Sequence, residues 1–176
     1  MDEIVKAALK KWPNVPHCYG WLALDARGDW YMRDERIQAA GPFPRPKGSR
    51  IAHEKLLEFI FRNYAADEAG CWFFQNGPQR VYVELEAAPW VWRVADDLSV
   101  ESHTRRPAEP RSAWLDEAGR LFVDTDLGFG IVHTLDMPQA AEAVERGLWQ
   151  PETLPFEEMP RRFGYVLRPQ QAGRDG

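Results

Sequence analysis

The sequence predicts an α+β fold of two tandem small β-meander subdomains, each with one packed helix. Its 14 prolines and 13 glycines favour short strands and turns over long helices. Several segments alternate apolar and polar residues between turn pairs, which is typical of antiparallel strands. A tryptophan, a strand, an acidic turn with glycine and a second strand follow one another once in each half of the chain. We therefore expect a duplicated hairpin.

Composition limits the classes of function. The chain has 176 residues, of which 44% are hydrophobic and 28% charged, and a formal net charge of -5. This acidic balance argues against general binding to nucleic acid phosphates, because such proteins carry an excess of Lys and Arg. Cys18 and Cys71 form no CxxC pair, so we expect reduced thiols and neither a disulfide framework nor a zinc site. With no signal peptide and no apolar run of about 18 residues, the sequence predicts a cytoplasmic protein that does not bind membranes.

The first elements follow from turn residues. VKAALKKW predicts a helix of one or two turns that Pro13 ends, because the residue before a proline is pushed out of the α region. CYGWLALDARGDWYM predicts a hairpin with strands at 18–24 and 29–33 and Gly28 in its turn. Residues 39–48, AAGPFPRPKG, predict an exposed loop, since five of these ten residues are proline or glycine, too many for a regular element.

A helix and three further strands complete the first half. SRIAHEKLLEFIFRNYAADEAG predicts an amphipathic helix with Ser49 as N-cap, ending near Gly70. CWFF and VYVEL predict strands on either side of the Asn-Gly turn at 76–77. In the next strand, Trp90 and Trp92 are expected on one face, because alternate residues of a strand share a face.

The second half is predicted to begin after a linker or long loop at 96–112, which is polar and broken by two prolines. We therefore expect subdomains at 1–100 and 101–176. AWLDEAGRLFVDTD repeats the features of GWLALDARGDWYM, which is the basis of the predicted duplication.

The end of the chain is predicted as a hairpin, a helix and a strand. The hairpin spans Arg120 to Thr134 and turns near Gly128 and Gly130, and the helix begins at Met137 with Asp136 as its N-cap and Gly147 after its end. FGYVLRP is expected to close a sheet, and QQAGRDG to be frayed.

DARGDWYM, GSRIAHEKLLEFIF, RVYVELEAAPWVWRV and, more weakly, RLFVDTD resemble a family of uncharacterised bacterial proteins of unknown function. The resemblance covers residues 18–96. It implies two tandem related α+β domains, the second with a sheet superficially like that of a pleckstrin-homology domain, and a ligand-binding or signalling role. No catalytic residues carry over, and DTDLGFGIVHTLDMPQAAEAVERGLW departs enough to indicate a separate, related family.

The absence of a catalytic constellation in the sequence favours a non-enzymatic module. We expect it to bind a small molecule or a protein partner in a cleft between the subdomains, without a cofactor. Tryptophans on strands with an arginine nearby are suited to hold an anion or an aromatic ligand, although the same tryptophans also suit a small core. The candidate binding residues are Trp30, Arg50, Trp90, Trp92, Arg93, Asp124, Asp126 and His133.

Two other functions remain open at the level of sequence. A metal-assisted hydrolase would use Asp124, Asp126 and His133, provided that the hairpin brings them together. Against it, Asp124 and Asp126 suit the solvent face of a strand, and no HxH or HExxH pattern occurs. A nucleic-acid site would need five basic residues on one face. These are Arg45, Lys47, Arg50, Arg105 and Arg106.

Overall fold

The computed structural model describes residues 1–170, which form two compact units, each built around one sheet. The predicted α+β class with two tandem subdomains is confirmed. The first unit contains 1–25, 29–86 and the described residues from Tyr165 onward, and the second contains 26–28 and 87–164. The chain thus enters the second unit earlier than the predicted division at residue 100, and its last described segment belongs to the first unit. Among residues 1–170, no helix combines the length and apolarity needed to cross a membrane.

The first unit has a sheet of six strands within the described residues, in the order β3-β2-β1-β6-β5-β4. Neighbouring strands are antiparallel except β1 and β6, which are parallel. Its elements are α1 (Glu3–Lys11), β1 (Cys18–Leu24), β2 (Trp30–Met32), α2 (Glu35–Ala40), β3 (Ser49–Arg50), α3 (Glu54–Arg62), β4 (Tyr64–Ala66), β5 (Trp72–Asn76) and β6 (Gln79–Leu85).

The second unit has a seven-stranded sheet in the described chain, in the order β13-β10-β11-β12-β7-β8-β9. Short 3-10 helices at Thr134–Asp136 and Phe156–Glu158 precede its two α-helices. Its other elements are β7 (Trp90–Val94), β8 (Val100–Ser102), β9 (Pro107–Ala108), β10 (Pro110–Leu115), β11 (Leu121–Thr125), β12 (Gly128–Val132), α4 (Met137–Glu145), β13 (Glu152–Thr153) and α5 (Met159–Phe163).

The two sheets share one topology. In the first, the meanders β1-β2-β3 and β4-β5-β6 are joined by the parallel pair β1 and β6. In the second, β7-β8-β9 and β10-β11-β12 are joined by the parallel pair β7 and β12, and β13 is added beside β10. The register of the parallel pairs agrees as well. Leu22 lies opposite Val83 in the first sheet, and the equivalent residues Trp92 and Val132 lie opposite each other in the second. Both sheets therefore repeat one plan.

The duplicated hairpin was nevertheless aligned wrongly from sequence. Hairpin β10-β11 corresponds to β4-β5, whose turn carries the same DEAG sequence, and not to β1-β2. The first Asp of each turn, Asp67 or Asp116, accepts from the backbone N–H four residues later, at 2.9 and 2.8 Å. Asp25 in the β1-β2 turn makes the same bond to the N–H of Asp29. DARGD therefore resembles DEAGR because both form this turn, which explains the misleading match.

The core of the first unit lies on both faces of its sheet. Helix α3 covers one face, where Ile60 is buried and the Phe59 and Phe74 rings meet edge to face at 5.5 Å. On the other face, Tyr82 packs in a cluster with Val166, and the N–H of Val166 donates to Gly70. The segment that follows α5 therefore covers part of this sheet.

Several predicted bounds hold. The first helix is short and ends before Pro13, strand 18–24 is confirmed, and the turn at 76–77 joins β5 to β6. Helix α3, in contrast, spans only Glu54–Arg62, because Ser49 pairs with Met32 in the sheet and His53 Nδ1 accepts from Leu56 N–H as the N-cap.

The predicted loop at 39–48 and linker at 96–112 contain regular structure. Residues 39 and 40 end helix α2, and Phe43 is buried rather than exposed. Strands β8, β9 and the start of β10 fall within 96–112. The prolines there are tolerated because Pro107 lies on an edge strand and Pro110 is the first residue of its strand.

The last part of the chain differs in detail from the prediction. The turn of hairpin β11-β12 precedes Gly128, and Gly130 lies inside β12. FGYVLRP does not form a strand, because α5 continues to Phe163 and the described residues after it only hydrogen-bond locally to the sheet. The prediction that the C-terminus is frayed falls mainly on residues 171–176, outside the described residues.

Candidate functional site

A polar cavity of about 370 Å³ lies in the first unit. Its walls come from the residue after β2, from α2 and the loop that follows it, from β6, and from the last described segment of the chain. We call it the arginine cavity. It is lined by Arg33, Gln38, Ala39, Gly41, Pro42, Glu84, Arg168 and Gln170.

Arg33 is held by the backbone around it. Its N–H donates to the carbonyl of Trp21 at 2.8 Å, which extends the pairing of β2 with β1 by one residue. Its side chain is 2% exposed, and Nη2 donates to the carbonyls of Gly41 at 2.7 Å and Pro46 at 3.0 Å. The loop rich in proline thus encloses one edge of the guanidinium group and fixes its position.

Glu84 is a buried acid near the end of β6. It lies opposite Ala23 of β1 and is 4% exposed. Burial raises its pKa from 4.5 to about 7, although the charge of Arg168, the backbone N–H of Gln170 and the charge of Arg33 all favour the ionised form. Near neutral pH, Glu84 therefore exchanges between a carboxylic acid and a carboxylate.

Arg168 reaches the cavity from the segment that follows α5. The N–H of Leu85 donates to the carbonyl of Leu167 at 3.0 Å, so this segment is fixed beside the end of β6. Arg168 itself is half-buried. Burial lowers the pKa of Arg33, and the nearby positive charge of Arg168 lowers it further while Glu84 raises it.

Two glutamines complete the polar wall. Gln38 Nε2 donates to the carbonyl of Arg33 at 2.8 Å. Gly20 makes room for both amides, because a Cβ at this residue would lie 2.6 Å from Gln38 Oε1 and 3.0 Å from Gln170 Oε1. Its φ of +84° also favours glycine. Both amide oxygens can thus lie this close to residue 20 only because it has no side chain.

Three charged side chains of the arginine cavity each keep a buried atom without a hydrogen-bond partner. These atoms are Arg33 Nε, Glu84 Oε2 and Arg168 Nη1. A buried polar group without a partner costs roughly 1–3 kcal/mol, and such groups are rare in native proteins. Their convergence on one cavity is therefore the feature of this unit that most resembles a binding site.

The tryptophans that we predicted as a ligand wall lie inside the units. Trp30, Trp90 and Trp92 are almost fully buried, and Trp92 Nε1 donates to the carbonyl of Val123 at 2.9 Å. This placement agrees with the alternative of tryptophans that fill the cores. Arg50 is exposed on β3, and its Nη2 lies 3.4 Å from Asp29.

Arg93 and Asp136 form a close ion pair in the second unit. Arg93 donates from Nε to Asp136 Oδ2 at 2.6 Å and from Nη2 to Oδ1 at 3.2 Å, and the N–H of Val94 also donates to Oδ2 at 2.9 Å. These bonds lower the pKa of Asp136, and the bond with Arg93 has the largest effect. Helix α4 begins at Met137 as predicted, but Asp136 makes no capping bond with its side chain. Asp136 thus holds the N-cap position as predicted, but the predicted capping bond is wrong, because the carboxylate bonds to Arg93 and Val94 of β7 instead.

The hairpin does not bring Asp124, Asp126 and His133 together. Asp124 lies opposite Phe129, and Asp126 is exposed in the turn. His133 follows Phe129 by four residues, so it lies about 13 Å along the sheet from Asp124 at roughly 3.3 Å per residue. Among residues 1–170, no group of three His, Cys, Asp or Glu side chains is placed to hold a metal ion. The alternative of a metal-assisted hydrolase thus has no assembled site in the described chain.

Besides Arg50, the nucleic-acid hypothesis involves Lys47, which is also paired with acidic residues. Lys47 lies 3.0 Å from Asp25 Oδ2 and 3.7 Å from Glu86 Oε1. Asp25 also accepts from the hydroxyl of Tyr31 at 3.0 Å. Lys47 is therefore part of an internal ion-pair network of the first unit.

Sequence reasoning missed Arg33, Glu84 and Arg168. Glu84 stands in VYVEL, where the alternation indicates a solvent-facing position. It is buried because residues distant in sequence cover that face of the sheet. No local pattern marks Arg33 or Arg168, and only the tertiary fold brings the three together.

Comparison with known proteins identifies the family. The model of a family named DUF2944, described as "Protein of unknown function (DUF2946)", matches residues 1–170. The chain belongs to this family, which confirms the prediction of an uncharacterised family. No curated protein matches the sequence.

Solved structures of DUF1285 family proteins resemble the chain. One, from Silicibacter pomeroyi DSS-3 at 2.50 Å resolution, has a TM-score of 0.50 and 14% identity over 80% of this chain and 83% of that chain. A second, from Shewanella baltica OS155 at 1.40 Å resolution, has a TM-score of 0.47 and 14% identity over 69% of this chain and 91% of that chain. Both sources are bacteria, as predicted for the family. At this identity, the likeness to the first shows the fold alone.

Proposed function

We propose that this member of a family of unknown function is a non-enzymatic module that binds a small molecule in the arginine cavity. The observation that carries the proposal is the convergence of Arg33, Glu84 and Arg168, each with a buried atom that lacks a hydrogen-bond partner. A ligand that supplies these partners would recover the free energy that the unsatisfied atoms cost. A cavity of about 370 Å³ lies within the usual range of small-molecule sites.

The charge of the cavity favours an anionic ligand. Two guanidinium groups face one carboxyl group whose pKa is about 7, so the three side chains carry a net positive charge at neutral pH. Burial strengthens the attraction, because the effective dielectric constant is lower than in water. Binding rather than catalysis is proposed because the described lining contains arginine, glutamine and glutamate but no Ser, Cys or His nucleophile.

A thermal-shift screen of the full chain against a library of small anionic metabolites tests this proposal. A ligand at 100 times its Kd stabilises the folded protein by about 2.7 kcal/mol, which raises the Tm of a protein of this size by several degrees. We expect at least one such compound. Its effect should be lost in Arg168→Gln and kept in Arg36→Gln, since Arg36 is exposed on α2 and does not line the cavity.

Two results would contradict the proposal. One is a library with no stabilising compound. The other is a stabilising compound that acts equally on the wild type and on Arg168→Gln. The predicted cleft between the subdomains stays a prediction.

A further inference from the structure

Arg33, Glu84 and Arg168 offer complementary hydrogen-bonding atoms. Arg33 Nε and Arg168 Nη1 are donors, and Glu84 Oε2 is an acceptor when the carboxyl group is ionised. Building on the proposed function, we infer that the ligand is a small carboxylate with a hydrogen-bond donor, an amine or a hydroxyl, on the adjacent carbon atom. Such a molecule gives an acceptor to both guanidinium groups and a donor to Glu84.

The two arginines favour a carboxylate held between them. Arg33 Nη2 already donates to the carbonyls of Gly41 and Pro46, so Nε is the atom of this group that needs a partner. A planar carboxylate has two oxygens, one for Arg33 and one for Arg168. Because the unsatisfied atoms are shielded from solvent, binding requires a side-chain rotation. Arg168 is best placed to make it, since it is half-buried whereas Arg33 is enclosed.

The net charge distinguishes a carboxylate from a phosphate. With Glu84 ionised, the three side chains sum to one positive charge, which a single carboxylate neutralises. A phosphate dianion would bring a second negative charge close to Glu84 in a buried site, where like charges repel strongly. A single carboxylate therefore matches the cavity with ionised Glu84 better than a phosphate dianion does.

Glu84 accounts for the second group of the ligand. A carboxylate without a neighbouring donor would leave Glu84 Oε2 buried and unsatisfied. The loss of one such hydrogen bond weakens binding by about tenfold or more. We therefore expect strong discrimination between ligands that differ only in this donor.

Calorimetric titration of the full chain with a matched set of probes tests the inference. Alanine, lactate, propanoate and isopropylamine share a three-carbon skeleton and differ in the donor and the carboxylate, and inorganic phosphate is the fifth probe. We expect alanine or lactate to bind at least about tenfold tighter than the other probes. Glu84→Leu should remove this preference, with Glu84→Ala as the second variant if the first does not fold. Arg168→Gln should weaken the binding of both alanine and lactate, and Arg36→Gln should leave the binding of both unchanged.

The pH dependence distinguishes the two donors. An ammonium group pairs with ionised Glu84, so alanine should bind more tightly as the pH rises through about 7. Lactate should depend on pH much less than alanine does, because protonation of Glu84 weakens the acceptor of its hydroxyl group while it increases the positive charge of the cavity.

Three outcomes would overturn the inference. They are propanoate or isopropylamine binding as tightly as alanine and lactate, phosphate binding most tightly, and no binding of any probe. None of them decides the proposed function, which stands or falls with the library screen and its dependence on Arg168.

Discussion

Glu84 and His133 occupy the same position in the two sheets. Glu84 comes directly after Val83 and His133 comes directly after Val132, and both are buried. Val83 and Val132 are equivalent residues of the parallel strand pair that each sheet contains. The equivalent pairs are Leu22 with Val83 and Trp92 with Val132. Arg33 likewise corresponds to His103, because their N–H groups donate to the carbonyls of Trp21 and Val91 at 2.8 and 2.7 Å. The repeat thus keeps two polar positions and gives them different chemistry in each unit.

The raised pKa of Glu84 predicts a pH-dependent stability. Its pKa is about 7 in the folded protein and about 4.5 in the unfolded chain, so the folded state binds more protons between these values. The free energy of unfolding should therefore fall as the pH rises from about 4.5 to 7, by on the order of 3 kcal/mol from this group. The groups that face it are Arg33, Arg168, the N–H of Gln170 and Cys71, whose pKa the Glu84 charge raises. Urea unfolding at several pH values measures the effect.

Glu84→Gln should remove this contribution, because an amide does not ionise in that range. Glu35→Gln is the matched control, since Glu35 is exposed in the first turn of α2, and it should keep the wild-type slope. Identical pH profiles for the wild type and Glu84→Gln would show that Glu84 does not change its protonation in this window.

Asp136→Ala is expected to cost about 2–3 kcal/mol in the free energy of unfolding. The substitution leaves Arg93 without its partner and the N–H of Val94 without an acceptor, and hydrogen bonds to charged groups contribute roughly 1.5–3 kcal/mol. Asp126→Ala, which loses one bond from the N–H of Glu109 at an exposed turn, should cost about 1 kcal/mol. Chemical denaturation compares the two. A similar small loss in both variants would mean that the Arg93 pair contributes little.

Gly130→Ala tests the packing around Trp92. A Cβ at Gly130 would lie 2.4 Å from Trp92 Nε1 and 2.8 Å from Trp90 Cβ, and Trp92 is fully buried. Overpacking of this kind costs about 3 kcal/mol. Gly119→Ala has open space but a φ of +77°, so its cost should be only about 1 kcal/mol. If the two variants unfold at the same denaturant concentration, the close approach at Gly130 is not what limits substitution.

Cys71 should be almost inert in the folded protein. Burial, and to a lesser degree the charges of Asp67 and Glu84, raise its pKa to about 11. At pH 8, roughly one thiol in a thousand is then a thiolate, which is the reactive form. Alkylation followed by peptide mass spectrometry should modify Cys71 only after unfolding. Modification of Cys71 in the folded state as fast as in urea would contradict its burial.

The parts of the fold that sequence predicted are those set by local chemistry. Strand β1 has the expected bounds because an apolar segment leads into the turn at 25–28. The N-cap at Ser49 failed because pairing with Met32 drew this residue into the sheet, and His53 took the capping role. The strands at 96–112 were missed because prolines at an edge strand and at a strand start do not disrupt a sheet.

The candidate site was beyond local reasoning. Arg33, Glu84 and Arg168 come from three distant segments, and none has a neighbour in sequence that marks it. The polar position of Glu84 becomes buried only when the chain returns after α5 and covers the sheet. Charged residues that are covered in this way can be recognised only from tertiary structure.

A crystal structure of the protein with the strongest stabilising compound from the screen tests the central claim most directly. We predict that the compound occupies the arginine cavity, with an acceptor atom within about 3 Å of Arg33 Nε and of Arg168 Nη1. A compound bound outside the residues that line this cavity, with Glu84 in direct ion pairs with both arginines, would contradict it.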